Sequence, residues 1–298
     1  MIDKRLTPAL KDGKIGRADL ISILREAEEY TRQNLFLYST SKTHAAQLVN
    51  VNYVRQQLKK LDREDLLDSP PILDLPDELT LSDVRIDGEG TNAALVIKAV
   101  EGRSYREYLG EEKDGNLINR RYQIVEERAV NVLRVRSDGF TELRIQSHRN
   151  TSDYVEDINK MLSLCNPIVE ALKFKKASVT KVKEYLWVQR KELKNKIRFA
   201  DSRYRNTAGS VMTLATGSEQ KNLYDDEGSS ASIDTFVKHE GSYDRSDVFW
   251  LKGSDGPLPS RELHTIFDGA INQFAVTMSC TKPDFEWVLG EIRKLNES

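Results

Sequence analysis

The stretch Val132–Ile145 constrains the fold of this chain more than any other. Leu133 and Val135 alternate with Arg134 and Arg136, and Leu143 and Ile145 flank Arg144. Such period-2 alternation marks half-buried strands. Between the two runs lies Ser137-Asp138-Gly139, and a three-residue loop with glycine in the left-handed position closes a hairpin. The resulting register pairs Leu133 with Leu143 and Arg136 with Phe140. It gathers Leu133, Val135, Leu143 and Ile145 on one buried face. Arg134, Arg136 and Arg144 fall on the opposite face, where Glu142 faces Arg134.

A strand, a polar turn and a helix follow one another twice. Residues 142–164 and 273–295 align at a constant offset of 131. Leu143 matches Phe274, Ile145 matches Val276, Asp153 matches Asp284, Tyr154 matches Phe285, Ile158 matches Leu289 and Met161 matches Ile292. Asp138-Gly139 precedes the first strand, and Asp268-Gly269 precedes the second one residue out of phase. Ser152 suits the N-cap of the first helix, and Pro283 suits the first turn of the second. Residues 260–271, where the second hairpin belongs, fit either a strand or a short helix.

Before these units, helical spacing covers residues 17–33 (Leu20, Ile23, Leu24, Ala27, Tyr30) and about 43–61 (Val51, Val54, Leu58, Leu61), joined by Asn34–Ser41. Pro70-Pro71 and Pro76 then break the helices, in a segment, 62–90, whose ten acids and two bases give a local charge of −8. Strands are expected at 83–86, 93–100, 122–125, 197–199, 211–215, 233–237 and 247–251, and a polar loop at 217–232. Residues 178–196 read as one helix with Val179, Val182, Leu186 and Leu193 facing a core. The expected fold is α+β, an N-terminal helical subdomain followed by a mostly antiparallel sheet body with two similar strand-turn-helix halves. The boundaries are 1–66 for the helices, 67–81 for an acidic linker, 82–172 for the first half, 173–196 for a basic connecting helix and 197–298 for the second half.

Composition narrows function by exclusion. With 45 basic and 47 acidic residues the net charge is −2, which excludes a globally basic nucleic-acid binder but not a local basic face. Two cysteines, Cys165 and Cys280, make no disulfide framework. The start of the chain lacks a signal-peptide pattern, and no apolar run is long enough for a membrane span, so a cytoplasmic protein with no membrane partner is expected. The histidines His44, His148, His239 and His264 make no zinc spacing with the cysteines, and no phosphate-binding glycine loop occurs, so no cofactor is expected.

The most informative feature is charge. Residues 173–205 hold twelve bases and three acids, a local charge of +9, interleaved with Phe174, Tyr185, Trp187, Phe199 and Tyr204. On one helix, Lys183, Trp187, Arg190, Lys191 and Lys194 form a stripe that can follow a phosphate backbone, with Trp187 placed to stack on a base. The plainer alternative is a solvated face whose long stems cover the sheet. Arg134, Arg136 and Arg144 with Phe140 add a second face for DNA or RNA, against the plainer reading of an ordinary solvent face. The expected function is non-catalytic nucleic-acid binding through the basic helix. One alternative is an interaction module that self-associates through its acidic and basic poles as a homo-oligomer. A further alternative is a Mg²⁺-dependent nuclease built on Asp138, Glu142 and Arg144, although the usual lysine is missing.

Overall fold

The computed structural model describes residue 8 and residues 12–69, 71, 74–149, 153–216, 221–239 and 241–297. Helices and antiparallel strands divide between two compact units, so the class is α+β. One unit comprises Asn34–Ser178 with Ala270–Phe274. The other comprises Val179–Gly269 and Ala275–Ser298 together with the chain up to Gln33.

In the first unit the strands are β1 (Gln33–Ser39), β2 (Thr80–Asp87), β3 (Ala94–Asp114), β4 (Leu117–Arg136), β5 (Phe140–Gln146) and β6 (Lys175–Lys176). Their order is β2-β3-β4-β5-β1, with β6 beside β1. The helices are α2 (Lys42–Leu48), α3 (Val51–Lys60), α4 (Asp65–Asp68) and α5 (Val155–Val169). The predicted hairpin register is present, with Leu133 opposite Leu143 and Arg134 opposite Glu142. Gly139 closes it at φ 93°, and a Cβ there would lie 2.3 Å from the Thr40 carbonyl oxygen, so only glycine fits. Leu133, Val135, Leu143 and Ile145 join Leu95 and Ile97 of β3, Phe36 and Tyr38 of β1, and Leu48, Leu58, Leu66, Met161 and Cys165 of the helices in one core.

Two expectations change in this unit. Gln33–Ser39, which reads as a join between helices, is a strand. Leu35, Phe36, Leu37 and Tyr38 are all buried, and a strand buried on both faces shows no alternation to betray it. The helix expected over 43–61 is two helices, because Asn50 caps α3 by accepting from the Asn52 and Tyr53 amides. Ser152 and Pro70 lie outside the described residues.

The second unit holds α1 (Arg17–Glu29), α6 (Thr180–Val188), β7 (Ile197–Asn206), β8 (Val211–Ala215), α7 (Glu227–Lys238), β9 (Gly241–Trp250), β10 (Leu263–Phe267), the Ala275–Val276 end of β11 (Gln273–Val276) and α8 (Lys282–Glu297). The strands follow the order β11-β10-β9-β7-β8, all antiparallel. The ambiguous residues 260–271 thus contain a strand. Residues 233–237, expected as a strand from their β-branched run, lie inside α7. Asp226 caps that helix on the Ser229 amide at 2.6 Å, and Ile233 is fully buried. Residues 217–220 of the expected polar loop lie outside the described residues, and much of its remainder forms a 3-10 turn at Leu223–Asp225 and the start of α7. Core residues here include Trp250, Phe199, Phe267, Phe285, Leu289 and Ile292. In both β5–α5 and β11–α8 a strand leads into a helix, and Leu143, Ile145, Tyr154 and Met161 are buried like Phe274, Val276, Phe285 and Ile292.

Candidate functional site

The basic stripe does not lie on one helix. α6 ends at Val188, and residues 189–196 continue as turns with a 3-10 turn at Leu193–Asn195. Val182, Leu186 and Trp187 face inward, and Trp187 is only 5% exposed. Its ring lies 4.6 Å from Tyr224, 5.7 Å from Tyr243 and 6.0 Å from Tyr204. Burial raises the phenol pKa of all three tyrosines. Arg190 stacks over Trp187 at 3.9 Å and forms an ion pair with Asp234 at 2.8 Å. Lys183 donates to the Asp244 carbonyl at 3.3 Å, and burial lowers its pKa. Lys191 and Lys194 are exposed. Three of the five side chains are therefore spent inside the unit. The local +9 charge hides this because ion-pair partners such as Asp234 and Glu291 lie far along the sequence.

The hairpin arginines are not on a solvent face. Arg144 is 1% exposed and Arg134 is 7% exposed. Glu142, fully buried, accepts from Arg144 at 2.6 Å and from Arg136 at 2.8 Å. Burial alone would raise its carboxyl pKa, but Arg144, Arg136 and Arg134 outweigh that and hold it at about 2. On the same side of the sheet, Arg85 bridges Asp83 and Asp87, and Lys98 is buried beside Val96, Val100, Val130 and Val132. Alternation of apolar and charged residues ordinarily means solvent on the charged side, because charges avoid the interior unless paired. Here they are paired. Glu142 is thus occupied as an arginine counter-ion. Among the described residues, no group of three His, Cys, Asp or Glu side chains is arranged to hold a metal ion.

A different surface stands out. β3 and β4 pair without interruption from Ala94–Arg136 to Asp114–Leu117, except for a bulge that inserts Leu109 between Tyr108 and Gly110. β2 flanks β3 only as far as Val100, and β5 flanks β4 only from Val132. Past the base, where Pro76 meets Gly102 and Arg149 meets Glu127, no other strand flanks them among the described residues, and the two continue as a ribbon. From Arg106 to Ile124 every residue is exposed except the half-exposed Gly110. At about 3.4 Å per residue the ribbon is roughly 30 Å long. The turn is Gly115-Asn116, with Gly115 at φ 57°. A two-residue glycine-containing loop between strands was the sequence signal for it. The flanking residues mask that signal, because charge is spread over both faces of the ribbon and no alternation appears.

The ribbon exposes large apolar side chains. Tyr108 is 52% exposed, Leu109 57%, Leu117 67%, Ile118 57%, Tyr122 50% and Ile124 69%. Register places Tyr108, Tyr122, Ile124 and Ile118 on one face, with Arg106, Glu111, Lys113 and Arg120. The Tyr108 and Tyr122 rings meet edge to face at 5.7 Å. Glu111 pairs with Arg120 at 3.4 Å and Glu112 with Arg121 at 3.0 Å, both exposed and each worth about 0–1 kcal/mol. Between Arg106 and Ile124 four bases (Arg106, Lys113, Arg120, Arg121) balance four acids (Glu107, Glu111, Glu112, Asp114), a net charge of zero. Two strands without a third are marginal in water.

No protein-family model matches the chain, and no curated protein matches its sequence. Among the described residues, no helix is long and apolar enough to cross a membrane.

Proposed function

We propose that this chain is a non-enzymatic protein-interaction module whose docking element is the ribbon Arg106–Ile124. The observation that carries this reading is the exposure of six large apolar side chains on two strands that nothing else in the described unit supports. Exposed apolar side chains that neighbour one another on one face, here Tyr108, Tyr122 and Ile124, mark a contact site. Zero net charge over the ribbon argues for a protein rather than a polyanion, since phosphate binding draws its strength from excess Lys and Arg. Nucleic-acid binding through the α6 stripe has weaker support, because Lys183, Trp187 and Arg190 make internal contacts and only Lys191 and Lys194 of the five are exposed.

The test is a photoreactive residue in place of Tyr122 in the full chain, activated in cells that express it. Adducts to protein are expected. Adducts to nucleic acid alone, or no adduct at all, would overturn the reading. A parallel retention assay with DNA and RNA at low salt compares the parent chain with Lys191→Glu/Lys194→Glu; retention lost in that variant would restore the basic-stripe reading.

A further inference from the structure

We infer that the occupant of the ribbon's β4 edge is a second copy of this chain, paired strand to strand about a two-fold axis at Gln123. The inference rests on reading the ribbon as a docking element and names its partner.

The two edges of the ribbon differ. The β3 edge is blunted. At its base the Gly102 amide donates to the Pro76 carbonyl at 2.7 Å, and further out the Leu109 bulge breaks its register beside Gly110 at φ 138°. Bulges and covering loops are the devices that stop an edge strand from pairing. The β4 edge has no bulge, and among the described residues its cover is confined to the base, where the Val130 amide donates to Gln146 Oε1 at 2.9 Å and Glu127 lies 3.9 Å from Arg149. β4 carries no inserted residue in its pairing with β3 from Leu117 to Arg136, and among the described residues β5 covers it only from Val132. A regular open edge is a template for another strand.

Symmetry then selects the register. Two identical strands related by a two-fold perpendicular to their sheet run antiparallel and keep their faces, so opposed residues must share a face. The edge reads Arg120-Arg121-Tyr122-Gln123-Ile124-Val125-Glu126-Glu127, basic at one end, acidic at the other and apolar between. With the axis at Gln123, Arg120 faces Glu126 of the second copy and Tyr122 faces Ile124. On the other side of the sheet Asn119 faces Glu127, with Arg121 diagonal to it. The axis repeats every pair. Opposite charges and aromatic–aliphatic pairs are the cross-strand contacts that stabilise sheets. Moving the axis to Ile124 brings Arg121 opposite Glu127, but it sets Arg120 against Arg128, a like-charge pair, and Tyr122 against Glu126. Moving it to Tyr122 sets Arg120 against Ile124 and Glu126 against Ile118. The axis at Gln123 is the register that joins charge and apolar complementarity. Strand pairing of this length is small beside ordinary interfaces of about 1,200–2,000 Å², so the dimer forms in a concentration-dependent equilibrium.

The test combines charge reversal with register-specific cross-linking in the full chain. Sedimentation across a concentration series is expected to show a monomer–dimer equilibrium. Arg120→Glu alone and Glu126→Arg alone are each expected to weaken it at least about tenfold, and the double variant to recover it, because only the double variant restores opposite charges. In a Cys280→Ser background, Gln123→Cys places two thiols on the axis. Opposed Cα atoms are about 4.5–5.5 Å apart there, within disulfide reach. Asn119→Cys is the control, since its copies lie eight positions apart, about 27 Å. Rapid disulfide dimer in Gln123→Cys and none in Asn119→Cys is the expected result. A parent chain that stays monomeric, equal cross-linking at both positions, or failure of the double variant to recover association would overturn the inference. If the chain is monomeric while position 122 still captures a different protein, the second copy is excluded and the docking reading stands. If position 122 captures no protein, both fall.

Discussion

Replacing Glu142 by Gln tests whether the buried charge cluster, rather than the hairpin's apolar face alone, holds the first unit together. The glutamine has nearly the same shape but removes the negative charge that pairs with both Arg144 and Arg136. Arg144 is 1% exposed and cannot turn to water without disrupting the sheet. Breaking a buried pair on one side costs about 3–5 kcal/mol. The amide oxygen still accepts one hydrogen bond, so the lower end of that range, about 3 kcal/mol, is expected. With a urea dependence of about 2 kcal/mol per molar, the unfolding midpoint should fall by roughly 1.5 M. The assay can be made specific to this unit. Cys165 is buried in its core, and Trp187, Trp250 and Trp287 all belong to the other unit. Thiol labelling of Cys165 in urea, in a Cys280→Ser background, therefore reports the first unit, and tryptophan fluorescence reports the second. A midpoint for Cys165 labelling that moves by less than roughly 0.3 M would refute the reasoning. The three arginines would then have found water or other anions at little cost.

The same carboxylate gives a pH prediction. Its pKa is 4.5 in the unfolded chain and about 2 in the folded one, so its contribution is fully present above pH 4.5 and is lost as pH falls towards 2. Acid titration followed by circular dichroism should show that part of the slope missing in Glu142→Gln; Asp247, Asp284 and Glu291, also lowered, retain the rest. Native thiol titration should label Cys280 and spare Cys165, whose thiol is fully buried and pushed far up by desolvation. Two equivalents reacting at equal rates would contradict the core placement. Arg190→Ala should remove the cation stacked on Trp187, cost about 1 kcal/mol and shift tryptophan emission to the red, while Lys191→Ala and Lys194→Ala should leave the emission unchanged. Equal shifts from all three would mean that the stripe acts as a unit after all.

The hairpin Leu133–Ile145 was legible because its alternation and its Ser-Asp-Gly loop encode register within a few residues. The same locality explains the misses. Arg134 and Arg144 share their buried face of the sheet with Asp83 and Lys98 of neighbouring strands, which no window around the hairpin contains. β1 was unreadable because a strand buried on both faces carries no alternation. The middle of α7 reads as a strand because Ile233, Thr235 and Val237 have strand propensity, while the decisive cap, Asp226, lies several residues upstream. In each case the competing information was tertiary or displaced along the chain.

Charge content alone misled most about the site. The +9 stretch looked like a surface for polyanions, yet its Arg190, Lys196 and Arg203 are held by Asp234, Glu291 and Asp244. What matters for recognition is charge left at the surface after folding and its order along an open edge. By that criterion the neutral ribbon outranks the basic helix. Between Arg120 and Glu127 the charges of β4 are sorted, arginines towards the turn and glutamates on the other side of Tyr122 and Ile124, and Arg120, Arg121 and Glu126 are exposed. A surface meant for phosphate has no use for the glutamates, and a solvated edge has no use for tyrosine and isoleucine between them. An antiparallel copy of the same strand uses both.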